Sequence, residues 1–195
     1  GMVTQTVATI KLATAIAKAF KAEVIEPRVG FKDFKPVMGQ ALVYFEESDG
    51  ISVIGHTPEK DAYIGLLLAI DIVLTLQENL GEYLEVIENQ YGTYHPYSGG
   101  VTVSQQGDQL IATLAGLEKY HEGVEIQIGD KTRCIEELIT IDGRKMIFDD
   151  KSWIMIRPSG TEPKVRFYVE ARSGSETSFL VNTAKSMLAE IGLLA

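Results

Sequence analysis

Trp153-Ile-Met-Ile-Arg-Pro-Ser-Gly-Thr-Glu-Pro-Lys-Val-Arg-Phe-Tyr-Val-Glu-Ala-Arg172 is the stretch on which the fold of the second half turns. Trp153 to Ile156 is a short apolar run of the kind that forms a buried strand. From Val165 to Ala171 apolar and polar residues alternate, the period of a strand with two different faces. Between them, Arg157-Pro-Ser-Gly-Thr161 is a turn carrying an arginine, two hydroxyls and a glycine. Arginine presents a planar fork of donors that suits phosphate oxygens and stays charged at any physiological pH. Ser159 and Thr161 each offer a hydroxyl donor, and Gly160 lets backbone amides turn toward an anion. Pro, Ser and Gly are also the residues of an ordinary hairpin loop, so composition alone is compatible with both readings.

The alternation assigns side chains to faces. Val165, Phe167, Val169 and Ala171 share one, and Arg166, Tyr168, Glu170 and Arg172 share the other. Arg166 is nearest the loop, where it is either a second cation for a bound phosphate or part of a solvated strand face. Glu170 and Arg172 are expected on a solvated face.

Working outward, residues 106–119 read as a helix, and 124–128, 132–140 and 145–148 as further strands of a meander. Ser173-x-x-Glu176 has the form of a capping box. Leu180, Ala184, Met187 and Ile191 make the apolar stripe of a closing helix. Strands in succession bracketed by helices predict an α+β domain, its antiparallel sheet covered by helices.

The first half alternates differently. Residues 3–7, 23–26 and 41–45 read as strands. Ala13, Ile16, Ala17 and Phe20 recur at helical spacing, residues 60–80 form a long helix, and 81–91 a second one. Strand–helix–strand alternation predicts an α/β domain with a small mixed sheet. In Gly92-Thr-Tyr-His-Pro-Tyr-Ser-Gly-Gly100 glycine, proline and serine cluster and the hydrophobic period disappears. The expected division is a domain over 1–93, a linker over 94–103 and a second domain over 104–195.

The chain has 195 residues, 45% of them hydrophobic, enough for two compact domains. Its formal charge of −9 argues against a nucleic-acid or anionic-membrane partner. That charge is uneven: residues 59–91 hold seven acids and one lysine, whereas 157–172 hold four basic residues and two acids. The single cysteine, Cys134, has no histidine nearby and reads as a structural thiol. No set of histidines, cysteines and acids has metal-ligand spacing, and no signal peptide is evident. The apolar stretch 62–76 is interrupted by Asp71, is short for a membrane span, and reads as a buried helix of a cytoplasmic protein.

Phe45-Glu-Glu-Ser-Asp-Gly50 closes an apolar strand, a usual place for ligand contacts in a parallel α/β sheet. Carboxylates there can accept from sugar hydroxyls, and Ser48 can donate and accept. Read on its residues alone, the loop is more simply a solvated acidic turn. Lys60 opens the long helix, where its charge opposes the helix dipole, and either a ligand role or an ion pair with a neighbouring acid accounts for it. His56, before Thr-Pro, reads as a turn residue.

The order of these segments matches a known family. Arg157-Pro-Ser-Gly-Thr-Glu-Pro163 resembles the phosphate-binding loop in the last domain of the α-D-phosphohexomutases, the phosphoglucomutase/phosphomannomutase family. Val29-Gly-Phe-Lys32 resembles that family's third-domain loop, and Glu46-Glu-Ser48 its sugar-recognition loop. Gly55-His-Thr-Pro-Glu-Lys-Asp61 resembles the segment after it. The sequence departs from the pattern at Phe45, where glycine is usual, and at Ala62, where Lys-Asp is usually followed by glycine. It has no Ser-His-Asn-Pro type phosphoserine segment and no Asp-x-Asp-x-Asp magnesium loop; Asp149-Asp150 is the nearest approach.

The resemblance implies the carboxy-terminal half of such an enzyme, its third and fourth domains, with Gly1-Met2 resembling a cleavage scar. It implies reversible transfer of a phosphoryl group between hexose 1-phosphate and hexose 6-phosphate, through a phosphoserine and a bisphosphate. Glu46, Ser48, Lys32 and Lys60 would then contact the sugar, and Arg157, Ser159, Gly160, Thr161 and Arg166 the phosphate. Mg2+ and a hexose 1,6-bisphosphate activator would belong to the full-length enzyme, with no metal ligand and no catalytic nucleophile in this part. Its partners would be a phosphosugar and the first two domains of the parent chain. A phosphoglucosamine mutase fragment and a non-catalytic phosphosugar-binding module are the alternatives.

Overall fold

The computed structural model describes residues 1–194, which fall into two compact units divided after Thr93.

The first unit is built on a four-stranded mixed sheet, order β2-β1-β3-β4. Its elements are β1 (Met2–Gln5), α1 (Leu12–Ala19), β2 (Glu23–Ile25), a 3-10 helix (Phe31–Val37), β3 (Val43–Phe45) and β4 (Ile51–Val53). Helices α2 (Ala62–Leu76) and α3 (Leu80–Tyr91) follow. Strand β1 runs parallel to both β2 and β3, while β4 returns antiparallel to β3 through the Glu46–Gly50 turn. Strand β4, only three residues long, has too short a period to be legible in the sequence. The core under the 3-10 helix is aromatic: Phe31 meets Phe34 edge-on at 5.0 Å, and Phe34 lies 5.9 Å from Tyr44. The Tyr44 hydroxyl accepts from the amides of Gln40 and Ala41 and donates to the Val37 carbonyl, each at 3.0 Å. One phenol thus fixes the loop that enters β3.

The residues at helical spacing form α1, with Ala17 buried and Phe20 exposed at its C-cap. One expectation fails in this unit. Helix α2 is not a buried helix: none of its residues is buried, and Leu67 and Leu74 are 60% and 65% exposed. A helix apolar all round needs cover on every side, and a sheet of three- and four-residue strands offers one narrow face. Its start is well defined, since the Asp61 carboxylate accepts from the Tyr63 amide, and α3 opens with a complete Asn79–Glu82 capping box. No described helix is long and apolar enough to cross a membrane alone; α2 and α3 together would be, but they meet at 83°. Leu67→Ser and Leu74→Ser should each change stability by no more than about 0.5 kcal/mol. Leu180→Ala, at a site 1% exposed, should cost about 2–5 kcal/mol. Thermal unfolding of the three variants makes the comparison.

The second unit holds a six-stranded antiparallel sheet, order β5-β10-β9-β8-β7-β6. The strands are β5 (His95–Thr102), β6 (Glu125–Ile128), β7 (Lys131–Ile139), β8 (Arg144–Phe148), β9 (Trp153–Pro158) and β10 (Lys164–Ala171). Helix α4 (Gly107–Leu114) continues into a 3-10 turn (Ala115–Lys119), and α5 (Gly174–Glu190) closes the chain. The main core gathers Phe148, Ile154, Ile156, Phe167 and Val169 from the sheet with Leu180, Ala184, Met187 and Leu188 from α5. The predicted stripe on the closing helix is therefore its packed face.

Three further expectations change here. The residues expected as a linker, 94–103, contain β5, which pairs with β10 along its whole length. It is an edge strand, which tolerates Pro96. Its glycine at position 99 has a packing cause, since a Cβ there would fall 2.4 Å from the Phe167 ring. Glu170 is not solvated: it is fully buried and accepts from the Trp153 indole N–H at 2.9 Å. Arg172 is partly buried, with its guanidinium over the Tyr94 ring at 4.1 Å. Alternation identifies two faces but not which of them is covered. Finally, Ser173 is the N-cap of α5, but its hydroxyl lies 3.3 Å from Ser175 and caps no amide. Glu176 turns instead to Lys131 at 2.6 Å and Arg133 at 3.1 Å.

Carboxylates therefore fasten both ends of α5. Near its end, Glu190 accepts from Lys119 at 2.6 Å and from the Tyr120 hydroxyl at 2.5 Å. The hydrogen bond from Lys131 holds the Glu176 carboxyl below its usual range, and those from Lys119 and Tyr120 do the same for Glu190. Burial, then Glu190, push the Tyr120 phenol up. A carboxyl whose folded pKa is depressed stabilises the fold above its unfolded pKa of about 4.3. That contribution is lost as pH falls through the folded value. Acid should therefore destabilise the second unit below about pH 4, and Glu190→Gln should flatten the dependence. Urea midpoints followed by Trp153 fluorescence between neutral and acid pH make the measurement.

Candidate functional site

Each unit presents one loop rich in groups that bind polar ligands. In the first, Glu46 follows β3 and starts the turn into β4, closed by a hydrogen bond from its own amide to the Gly50 carbonyl at 2.9 Å. Asp49 takes a positive φ of 65° in that turn. The Glu46 side chain is buried, and its Oε2 accepts from Lys60 Nζ at 3.1 Å and from the Ser48 hydroxyl at 3.4 Å. A Cβ at Gly50 would lie 2.6 Å from that oxygen and 2.8 Å from Lys60 Cδ, so a side chain there would displace this pair. Three of the predicted sugar contacts, Glu46, Ser48 and Lys60, thus converge. Lys60 is half exposed and just precedes α2, so its charge neutralises a buried carboxylate. Phe45, where the family pattern has glycine, is an ordinary strand residue opposite Ile51.

Lys32, the fourth residue, stands exposed on the 3-10 helix, forming no ion pair among the described residues. His56 is not merely a turn residue: its Nε2 is 2.8 Å from Asp61, the N-cap of α2. This hydrogen bond, with that from the Tyr63 amide, holds the Asp61 carboxyl below its usual value.

Beside the Glu46 turn is a polar cluster that sequence reasoning missed. Thr6, fully buried after β1, donates to Glu47 at 2.5 Å and shares a 2.8 Å hydrogen bond with Thr9. Gln5 donates to Thr14 and Glu26, and Lys11 also reaches Glu26. These groups gather at the carboxyl ends of parallel strands, where such sheets hold ligands. No local motif marks them, because they meet only when β1 and β3 pair.

In the second unit, β9 and β10 flank the predicted phosphate loop and pair so that Arg157 and Arg166 stand directly opposite one another. Two cations side by side are unfavourable without compensation, and each has a carboxylate. Arg157 Nε lies 2.9 Å from Asp142 Oδ2, and Arg166 pairs with Glu162. Lys164 reaches Glu162 as well, at 3.1 Å. Hydrogen bonds from Lys164 and Arg166 hold the Glu162 carboxyl below its usual range. The Ser159 hydroxyl accepts from the Glu162 amide at 3.3 Å and lies 3.5 Å from that of Thr161, so the loop folds around it. Gly160 is exposed, and nothing lies within 4 Å of where its Cβ would be, which leaves the crest of the loop open. A cleft of about 410 Å³ separates this loop from Gln105, Gln106, Gly107, Leu110 and Ile111 at the start of α4. The predicted residues 157, 159, 160, 161 and 166 therefore share one loop and its flanking strand ends. Sequence reasoning did not foresee that acids occupy both arginines. Among the described residues, no group of three or more His, Cys, Asp or Glu is arranged to hold a metal ion.

Comparison with known proteins assigns both units to one family. Residues 1–91 match the family described as phosphoglucomutase/phosphomannomutase, alpha/beta/alpha domain III, and residues 104–182 match its C-terminal domain. The phosphopentomutase of Thermococcus kodakarensis is 44% identical over 134 residues, which covers 69% of this chain and 28% of that protein. A Methanosphaera stadtmanae protein named "Probable phosphoglucosamine mutase" is 32% identical over 129 residues, 65% of this chain and 26% of its own length. A crystal structure of Aspergillus fumigatus N-acetylphosphoglucosamine mutase, in complex with GlcNAc-6P and magnesium, shares the fold with a TM-score of 0.60 at 18% identity. It aligns over 98% of this chain and 39% of its own. The chain thus spans well under half the length of these relatives. It belongs to the phosphoglucomutase/phosphomannomutase family, the α-D-phosphohexomutases, and carries that family's third and fourth domains.

Proposed function

We propose that this chain is the phosphosugar-recognition half of a phosphohexomutase that interconverts hexose 1-phosphate and hexose 6-phosphate. The observation that carries the reading is the cross-strand pair Arg157–Arg166 beside the open hydroxyl loop Ser159-Gly160-Thr161. In this reading the loop grips the phosphate that is not being transferred. Glu46, Ser48 and Lys60, with Lys32, orient the sugar: the carboxylate accepts from hydroxyls while the lysines and serine donate. Mutase chemistry through a phosphoserine and a bisphosphate depends on positioning and on charge stabilisation, which both loops are built to supply. The phosphoserine, the ligands of Mg2+ and the sites for the hexose 1,6-bisphosphate activator are assigned to the first two domains of the parent, a cytoplasmic enzyme.

Titration of the chain with glucose 1-phosphate should shift the amides of Ser159, Gly160 and Thr161, and binding should weaken as salt rises. Shifts confined to other residues would sink the assignment. Glu46→Gln should weaken glucose 1-phosphate by about 5- to 10-fold while leaving inorganic phosphate nearly unchanged. Equal losses for the two ligands would make Glu46 structural. With magnesium and glucose 1,6-bisphosphate present, a coupled assay for glucose 6-phosphate should read no turnover by the chain alone.

The identity of the sugar has a second reading, because the relatives named above act, by name, on a pentose phosphate and on glucosamine phosphate. Competition between ribose 1-phosphate, glucosamine 1-phosphate and glucose 1-phosphate for the same amide shifts distinguishes them.

A further inference from the structure

We propose that Asp142 positions the guanidinium of Arg157, a role that builds on the phosphate-binding reading of the loop. Asp142 and Gly143 form the turn between β7 and β8, remote in sequence from the loop. The turn lies directly on the arginine. Gly143 takes a φ of +81°, and a Cβ there would fall 2.3 Å from the Ile156 carbonyl and 2.6 Å from Arg157 Cβ. Asp142 Oδ2 sits 2.9 Å from Arg157 Nε, with the two side chains only 16% and 13% exposed. The Nε–H is not aimed at that oxygen, so the contact is one of charge and packing, not a directed hydrogen bond. With the carboxylate on the Nε side, the two terminal nitrogens are the free edge of the fork, the edge that suits a phosphate.

The charge count explains why position matters here. Arg157, Lys164 and Arg166 are set against Asp142 and Glu162, three cations against two anions, leaving one net positive charge. So little net charge gives a weak, unselective pull, and anion affinity depends on where the guanidinium points.

This gives the role a test by sign. Asp142→Asn removes a negative charge next to a proposed anion site, so charge alone would tighten phosphate binding. Loss of positioning would weaken it. Asparagine before glycine is as suited to a tight turn as aspartate, which favours a folded variant. The chain and Asp142→Asn are titrated with inorganic phosphate, following the amides of residues 159–161 and the Arg157 Nε–Hε signal. The variant should bind about 3- to 10-fold more weakly, and the heteronuclear NOE of Arg157 Nε–Hε should fall before phosphate is added. Equal or tighter binding overturns the proposal. If the chain itself shows no response to phosphate, the binding reading fails. The NOE then decides alone, an unchanged value overturning the positioning role and a lower one supporting it. Should Asp142→Asn lose its amide dispersion, Asp142→Glu carries the same test. It keeps the charge but displaces it by one methylene, so weaker binding supports positioning and unchanged affinity overturns it.

Discussion

Arg157→Ala is expected to remove most of the chain's affinity for phosphate, by about 10- to 150-fold, the worth of a charge-assisted hydrogen bond. The loss should exceed that of any other single truncation in the loop. Arg157 is the better held of the two arginines, its side chain 13% exposed against 40% for Arg166. A donor already in place costs less entropy to use than one that must be ordered on binding. Arg157→Lys keeps the charge but not the fork, so it should recover only part of the affinity. Glu162→Gln should act in the opposite direction. It frees Arg166 and Lys164 from a carboxylate that competes with the ligand, and should tighten phosphate binding modestly. Isothermal titration with inorganic phosphate at two salt concentrations separates the cases. An Arg157→Ala variant that binds as the parent chain does would place the anion elsewhere.

How much of this was legible in the sequence depends on whether the information is local. The hairpin loop proposed to bind phosphate was, because Arg157, Ser159, Gly160 and Thr161 lie within five residues between two strand-forming runs. The Arg157–Arg166 pairing was half legible: alternation gives the face of Arg166, but only the register sets it opposite Arg157. The acids at the site were not, since Asp142 reaches Arg157 from another hairpin. Strand β5 was hidden by its composition. Pro96 and the glycines at 99 and 100 are turn residues in isolation, yet an edge strand accepts the proline and the Phe167 ring demands Gly99. Glu170 and α2 failed for a common reason. Hydrophobic pattern states which side chains prefer burial, whereas the cover available to each face is a property of the assembled fold. Buried Glu170 has the Trp153 indole as donor, and exposed Leu67 has no comparable shelter.

Gly143→Ala should be the most damaging single-methyl change in the second unit, costing about 2–5 kcal/mol of stability. Two penalties combine. A φ of +81° is strained for any residue with a Cβ. The added methyl would also lie 2.3 Å from the Ile156 carbonyl oxygen and 2.9 Å from Arg157 Cα, both backbone atoms of β9 that cannot swing aside as a side-chain tip can. Relief requires the β7–β8 turn to lift from β9, and β9 is an interior strand whose residues Ile154 and Ile156 are in the core. The same movement takes Asp142 away from Arg157, so phosphate affinity should fall together with stability. Trp153 is the chain's only tryptophan and is buried in β9 near the change, so its fluorescence reports unfolding of this unit specifically. Urea midpoints for the parent chain and Gly143→Ala give the stability loss. A midpoint unchanged by the methyl would mean that the turn does not press on the strand, and Arg157 would then need another explanation for its fixed position.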